Sequence, residues 1–328
     1  MKVAVIGAGT IVPDLLEAAG QIEELENYAI FGRESSLEKL KKLQDQYKIQ
    51  CIYHDYAALL EDKEVEAVYI ALPNHLHYPY AEQAVRSGKH VIVEKPFASS
   101  YAQAKDLVEK AEAANVVVFE AISNQYMPNY QKTKELVERL GDVKIVQLNY
   151  SQYSRRYDLF KEGTVHPVFD PAQSGGALMD INVYNIHYVV GLFGRPEEVR
   201  YIANIERGVD TSGILTMRYP SFQCVCIGAK DCRAPLSINV QGDKGYIHST
   251  DPANVYSSFF FGDDKGEAEQ FELNGGRPRL YHELRVFTDM VVGEDYEQAK
   301  KCNAHTLEVM AILDEARRQM RLLPDGVM

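Results

Sequence analysis

Two glycines near the N-terminus stand where a chain can hold a phosphate. Gly7-Ala8-Gly9 follows the β-branched run Val3 to Ile6 and opens a helical pattern. The first glycine permits a tight turn, and the second lets the main chain approach a pyrophosphate whose charge is met by free helix N–H groups. Thr10 and Ile11 complete the turn, while Val12 occupies the third glycine position of G-x-G-x-x-G. The glycines alone therefore also fit an ordinary strand-to-helix turn, but their place in the first strand–helix unit favours a dinucleotide. The next strand ends Phe31-Gly32-Arg33, followed by Ser35 and Ser36. An acidic residue there accepts from the ribose 2′-OH of NAD, whereas an Arg suits the 2′-phosphate of NADP. Arg33 thus favours NADP, with NAD the alternative, and Glu34 is the dissenting charge.

The elements that must position this turn are legible as a rhythm. Short apolar runs (Val3 to Ile6, Tyr28 to Phe31, Cys51 to Tyr53, Val65 to Leu72, His90 to Val93, Val116 to Phe119) alternate with helical patterns. That is the signature of an α/β, doubly wound parallel sheet covered on both faces. After Glu120 the rhythm changes. Helices at about 129–140 and 177–192 precede successive strand-like runs from Val199 to Phe261, split by turns such as Tyr219-Pro220-Ser221, and two helices near 280–292 and 306–320 close the chain. This predicts an α+β domain with a large, predominantly antiparallel or mixed sheet. The division is placed at 1–121 and 122–328.

Composition sets the outer bounds. Across 328 residues, 35 Lys and Arg oppose 47 Asp and Glu for a net charge of −12, and 46% of residues are hydrophobic. An acidic chain repels phosphate backbones on average, so no nucleic-acid partner is expected. The basic clusters Lys39 to Lys42 and Arg317, Arg318 and Arg321 are interleaved with apolar residues and read as solvated helix faces. No run approaches the ~20 apolar residues of a membrane span, and Met1 to Gly7 runs straight into a strand pattern, so a cytoplasmic protein is expected. Five scattered cysteines include Cys224 and Cys226 on one strand face. Without further ligands at metal spacing they read as small buried residues, and no metal is expected.

Three further segments carry a resemblance. Leu72-Pro73-Asn74-His75-Leu76-His77, Gly88-Lys89-His90-Val91-Ile92-Val93-Glu94-Lys95-Pro96, and Gly175-Gly176-Ala177-Leu178-Met179-Asp180 with Tyr184 four residues on resemble the glucose–fructose oxidoreductase/inositol dehydrogenase/rhizopine-catabolism (Gfo/Idh/MocA) family in order and spacing. Tyr184 and Arg156-Tyr157-Asp158 look nearest the dimeric dihydrodiol dehydrogenase and D-xylose dehydrogenase branch. The resemblance implies a Rossmann domain and an NAD(P)-dependent oxidoreductase acting on a secondary alcohol of a sugar, inositol or cyclic diol. It also implies a homodimer or homotetramer formed through the C-terminal sheet.

The resemblance assigns Lys95, Asp180 and Tyr184 to catalysis, and Leu72, Pro73, Asn74, His77, Glu94, Lys95 and Pro96 to the cofactor side. By composition alone Lys95 is a surface lysine; at the carboxyl end of a strand, burial and an oxidised nicotinamide would lower its pKa into an acid/base range. Pro96 permits a cis peptide. On a regular helix Asp180, Tyr184 and His187 fall on one narrow polar stripe, opposite an apolar arc, which predicts a face turned away from the core or simply to solvent. His187 is expected as a peripheral substrate contact. Arg155, Arg156 and His166 precede the Gly175 loop and suit an anionic or hydroxylated substrate, or salt-bridge the acidic surface. Asn182 and Gln125 depart from the family pattern. Two alternative functions are a non-catalytic dinucleotide-binding regulator, and a glycosidase- or lyase-like enzyme using tightly bound NAD(H).

Overall fold

The computed structural model of the chain describes residues 1–320, so Arg321 of the expected basic face lies outside the described residues. Met1–Ser123 with Gly276–Leu307 form one compact unit, and Asn124–Gly275 with the chain from Glu308 onward form another. The first contains β1 (Lys2–Ile6), α1 (Val12–Ala19), β2 (Glu26–Phe31), α2 (Leu37–Tyr47), β3 (Cys51–Tyr53), α3 (Tyr56–Glu61), β4 (Ala67–Ile70), α4 (His77–Arg86), β5 (His90–Glu94), α5 (Tyr101–Ala113) and β6 (Val118–Ala121). Its six strands run parallel in the order β3-β2-β1-β4-β5-β6. Val68, Tyr69, Ile70, Val91, Ile92 and Val93 are all buried. Each buried branched side chain contributes about 1.5–3 kcal/mol, which is why uninterrupted apolar runs form this sheet. The Asp55 carboxylate caps α3 by accepting from the N–H groups of Ala57 and Ala58. Strand order reverses between β1 and β4, so the turns after β1, β4 and β5 gather at one edge, the place where open α/β sheets bind ligands.

The second unit contains α6 (Pro128–Leu136), β7 (Val143–Ser151), α7 (Arg155–Lys161), a π-helical turn (Leu178–Asn182) running into α8 (Val183–Phe193), and the strands β8 (Glu198–Glu206), β9 (Val209–Arg218), β10 (Gln223–Ala229), β11 (Ser237–Gly242), β12 (Gly245–Ser249), β13 (Phe259–Asp263) and β14 (Ala268–Phe271). They form a mixed sheet ordered β14-β13-β12-β11-β7-β10-β9-β8, in which β7 with β10 is the parallel pair. Neither β7 nor α7 was expected. In β7, Val146 and Leu148 are buried while Lys144 and Ile145 are exposed, and outward polar residues such as Gln147 and Asn149 dilute the apolar signal. The inner face buries Val146, Leu148, Leu215, Met217, Cys226, Ile238 and Val240. The outer face exposes Ile145, Ile202, Ile214, Tyr246 and Phe260.

α9 (Tyr281–Val292) and α10 (Tyr296–Met320) follow, the division between units falling after Leu307. The return of 276–307 to the first unit is where the structure departs from a contiguous cut at 121 and 122. Its reason is packing: α9 lies against α1 and β6, with the Phe119 and Phe287 rings 5.9 Å apart. Among the described residues no helix is long and apolar enough to cross a membrane.

Candidate active site

In the first unit the site is built mainly from main-chain atoms. Gly7 has φ +117°, and a Cβ there would stand 2.5 Å from the Ala71 carbonyl oxygen and 3.3 Å from the Leu72 side chain. Only glycine fits, and the contact brings the phosphate-type turn against Ala71 and Leu72. The Gly7 N–H donates to the Phe31 carbonyl, while Gly9 and Thr10 are exposed and Ile11 is half-buried. No side chain caps α1 at Ile11; the Val12 N–H donates to the Gly9 carbonyl at 3.4 Å and Pro13 carries no N–H, so an external anion is left to the main chain of the turn before the helix. That cradle, closed to any Cβ and lacking a side-chain cap, fits a dinucleotide pyrophosphate. Arg33 is exposed at the end of β2 beside an equally exposed Glu34.

His77 ties two of the motif segments together. Its ring is fully buried, with Nδ1 2.8 Å from the Pro96 carbonyl oxygen and Nε2 2.8 Å from that of Leu72. Carbonyls only accept, so both contacts are donations only when the ring carries two protons. Burial pushes its pKa below the ordinary imidazole value, against the pull of the two carbonyls. Lys95 is half-buried at the end of β5, and the Lys95–Pro96 peptide is cis. The adjacent Glu94 carboxylate accepts from the Tyr69 hydroxyl at 2.7 Å, and burial pushes its pKa up. The next residue but one is fixed as well, the Phe97 N–H donating to Glu120. The turn carrying Asn74 is one turn of 3₁₀-helix, Asn74–Leu76.

In the second unit the site is built from side chains. The Asp180 carboxylate pairs with Lys230, Nζ to Oδ2 2.6 Å. The Lys230 side chain is only 2% exposed; it also donates to the Val168 carbonyl and lies 4.5 Å from the Phe169 ring centroid. Asp210 holds the start of the same helical segment, accepting from the Leu178 N–H and the Tyr201 hydroxyl. Burial pushes Asp210 up to about 6. Gly176, at φ +122°, is needed because a Cβ would meet the Asp210 carboxylate. The Tyr184 side chain is nearly buried, its ring 6.3 Å from that of Tyr150.

The expected open polar stripe is not formed. His187 is fully buried and Tyr184 is 7% exposed, and the π turn at 178–182 breaks the 100° per residue that placed Asp180, Tyr184 and His187 in line. From Leu178 to Val190 the segment is buried except at Asp180, which is half-buried. Gln125 donates to the His187 carbonyl and Asn124 to that of Tyr184. Asn182 faces the sheet, donating to the Cys226 carbonyl and packing on Gly228, so both departures from the family pattern brace the helix. Arg156 and His166 are half-buried. Sequence reasoning missed Lys230, Asp210 and Tyr201; the sole signal for Lys230 is a charged pair, Lys230-Asp231, closing an apolar strand.

Known proteins match the chain over most of its length. Residues 1–122 fit the model of the oxidoreductase family with an NAD-binding Rossmann fold, and residues 130–248 fit the Gfo/Idh/MocA C-terminal domain. The chain belongs to the Gfo/Idh/MocA oxidoreductase family. The family's scyllo-inositol 2-dehydrogenase (NADP(+)) IolU of Bacillus subtilis is 31% identical over 98% of both chains. The trans-1,2-dihydrobenzene-1,2-diol dehydrogenase of Xenopus tropicalis is 26% identical over 78% of this chain and 76% of that one. The fold also matches KijD10, a 3-ketoreductase of Actinomadura kijaniata solved with NADP and TDP-benzene. Its TM-score is 0.86 at 22% identity over 97% of both chains.

Proposed function

We propose that the chain transfers a hydride between NADP, in preference to NAD, and a secondary alcohol or carbonyl of a polyol or sugar. Lys95 is the acid/base in this reading, and Asp180 and Tyr184 act on the substrate oxygen. The observation that carries it is the shared edge of β1, β4 and β5. There an uncapped helix start, the Gly7 turn and Lys95 are linked through Leu72, His77 and Pro96. The IolU relative, named for scyllo-inositol and NADP, supports a cyclic polyol and that cofactor.

The nicotinamide, when bound, supplies the hydride acceptor or donor. The chain's own residues do the rest. Gly7, Gly9, Thr10 and Ile11 hold the pyrophosphate, Arg33 the 2′-phosphate, and Leu72, Pro73, Asn74 and His77 shape the pocket together with Glu94 and Pro96. Lys95 Nζ takes or returns the hydroxyl proton. A positively charged ring beside it would disfavour the ammonium. Asp180, paired with Lys230, acts as an acceptor that orients a hydroxyl. The Tyr184 hydroxyl donates to or accepts from the reacting oxygen. Arg156 and His166 belong to the substrate side, and His187, fully buried, supports the helix that carries Tyr184. The apolar outer face of the sheet supports self-association there.

The test is Lys95→Met assayed with NADP(H) on inositols, sugars and cyclic diols. Turnover is expected to fall by roughly 10²–10⁴-fold, the usual worth of a positioned acid/base, while the NADPH dissociation constant moves less than about threefold. Intact turnover with cofactor bound would remove Lys95 from the mechanism.

A further inference from the structure

We propose that His54 is a second cofactor-selecting residue: together with Arg33 its imidazole binds the 2′-phosphate of NADP, and it makes the preference for NADP over NAD grow as pH falls. This inference deepens the NADP reading of the Gly32–Arg33 turn and rests on it for its setting.

Strand register brings the two residues to one rim. β2 and β3 run parallel with Phe31 opposite Tyr53. The residues that follow, Gly32-Arg33 and His54, therefore leave the sheet side by side at its carboxyl end, where open α/β sheets bind ligands. Both polar groups of Gly32 are held by β3 and its continuation. The Gly32 N–H donates to the Tyr53 carbonyl at 3.1 Å, and the Gly32 carbonyl oxygen lies 2.7 Å from His54 Nδ1. The imidazole is thus bonded to the same peptide unit that supplies the Arg33 nitrogen.

That contact fixes where a further proton goes. A carbonyl only accepts, so Nδ1 carries the hydrogen and the neutral ring keeps its lone pair on Nε2. His54 is exposed, and among the described residues its ring makes no other hydrogen bond. A proton arriving at Nε2 leaves the Gly32 contact intact and gives the ring a positive charge and a second donor together, a change that imidazoles make near neutral pH. The adjoining charges are of both signs. Glu34 and the α3 cap Asp55 favour the imidazolium, and Arg33 opposes it; all three are exposed. The Tyr53 hydroxyl is directed to Asp62. α2 and α3 bury Leu40, Leu43, Tyr56, Leu59 and Leu60, while their charged residues Glu38, Lys39, Lys41, Lys42, Asp45 and Glu61 are exposed.

A phosphate monoester carries a charge of about −1.5 to −2 near neutral pH, whereas NAD has a neutral hydroxyl at the same place. The imidazolium therefore adds to NADP affinity and leaves NAD affinity unmoved. Because the phosphate favours the charged ring, NADP binding takes up a proton. Protonation of the phosphate itself, at about pH 6, works with the opposite sign by weakening its contact with Arg33. The direction of the pH dependence thus separates the histidine from the ligand.

The experiment measures NADPH and NADH dissociation constants by fluorescence titration at pH 6.5 and pH 8.5 at fixed ionic strength, and proton uptake by calorimetry at pH 7 in buffers of different ionisation enthalpy. In the wild type the NADPH-over-NADH affinity ratio is expected to be about fivefold higher at pH 6.5, with about half a proton taken up per NADPH and no such uptake for NADH. His54→Gln keeps an N–H for the Gly32 carbonyl but takes no proton, so its ratio is expected to stay within about twofold between the two pH values and its uptake to vanish. His54→Ala, which loses the Gly32 contact as well, is expected to show the same flat ratio. Arg33→Ala is expected to lower the ratio at both pH values and to keep its slope. A wild-type ratio that is flat or falls on acidification, or an uptake that persists in His54→Gln, would overturn the proposal. A flat ratio that still favours NADPH removes His54 and leaves Arg33, whereas equal affinities at both pH values remove both. Cofactor binding without turnover of any polyol or sugar defeats the hydride-transfer reading alone, since the affinity ratio and the proton uptake are read without turnover.

Discussion

The two units hold their candidate functional residues by opposite means. In the first, the working surfaces are main-chain groups of three short turns: the Gly7 turn closed against Ala71, the uncapped start of α1, and the carbonyls of Leu72 and Pro96 joined by His77. In the second, side chains distant in sequence do the holding. Asp180 meets Lys230 across 50 positions, and Asp210 meets Leu178 across 32. A main-chain cradle is tolerant of sequence except where a Cβ cannot fit. A side-chain platform is sensitive at each charged member, because a lone charge left in a buried place is costly.

The largest effect is expected where the cradle has no tolerance. Gly7→Val combines a disfavoured positive φ with a Cβ 2.5 Å from a main-chain oxygen, so a loss of about 4 kcal/mol or more is expected by denaturant unfolding. Gly9→Ala sharpens the contrast. Its nearest neighbour would be the Ala71 oxygen at an ordinary 3.8 Å, so stability should move by under about 0.5 kcal/mol while NADPH affinity falls at least tenfold. An unfolded Gly9→Ala, or one that binds cofactor normally, would show that Gly9 does not serve the ligand.

The platform breaks at Lys230. Lys230→Met removes the buried partner of a carboxylate that is 28% exposed. Some solvent screening remains, so about 3 kcal/mol of stability is expected to be lost, below the full buried-pair value. Adding Asp180→Asn should recover part of it, because the uncompensated charge disappears with its partner. A double-mutant cycle with no coupling would dissolve the ion pair as an organising element.

This contrast also explains what could be read from the amino-acid sequence. The cradle was legible because a positive-φ glycine, a proline after Lys95 and buried β-branched strands each leave a local residue signature. Cys51–Tyr53 was placed to the residue, and β5 to within one. β7 was lost because polar Lys144, Gln147 and Asn149 interrupt its apolar residues, and the π turn was lost because nothing local distinguishes it from a regular helix. Lys230 and Asp210 were invisible for a stronger reason. Their partners are set by how β9 and β10 approach the 178–193 segment, and no spacing along the chain records that approach.

Asp210 makes the platform sensitive to pH as well. Its carboxyl is pushed by burial from the ordinary 3.8 to about 6, so folding favours the protonated form. The associated stability is fully present below the ordinary value and is lost as pH rises through about 6. The shift corresponds to about 3 kcal/mol. Asp210→Asn keeps an oxygen to accept from Leu178 and Tyr201 but cannot ionise. The stability difference, wild type minus variant, is therefore expected to fall by about 2 kcal/mol between pH 4 and pH 7, measured by urea unfolding at each pH. A difference that stays flat would mean that Asp210 keeps an ordinary pKa.

The smallest effect belongs to a residue that acts through an exposed side chain. Arg33 is exposed, has no ion-pair partner among the described residues and stands beside Glu34 at the end of β2. An exposed cation on a phosphate works in high dielectric and is screened by salt. Arg33→Ala is therefore expected to cost about 1.4 kcal/mol, a tenfold loss of NADPH affinity, with NADH affinity unchanged within twofold and fold stability unmoved. Raising the salt should narrow the NADPH preference of the wild type in the same direction. Equal affinities for the two cofactors in the wild type would sink the assignment of Arg33, and Glu34 would then be the residue to examine as a ribose acceptor, with Glu34→Gln lowering NADH affinity in its place.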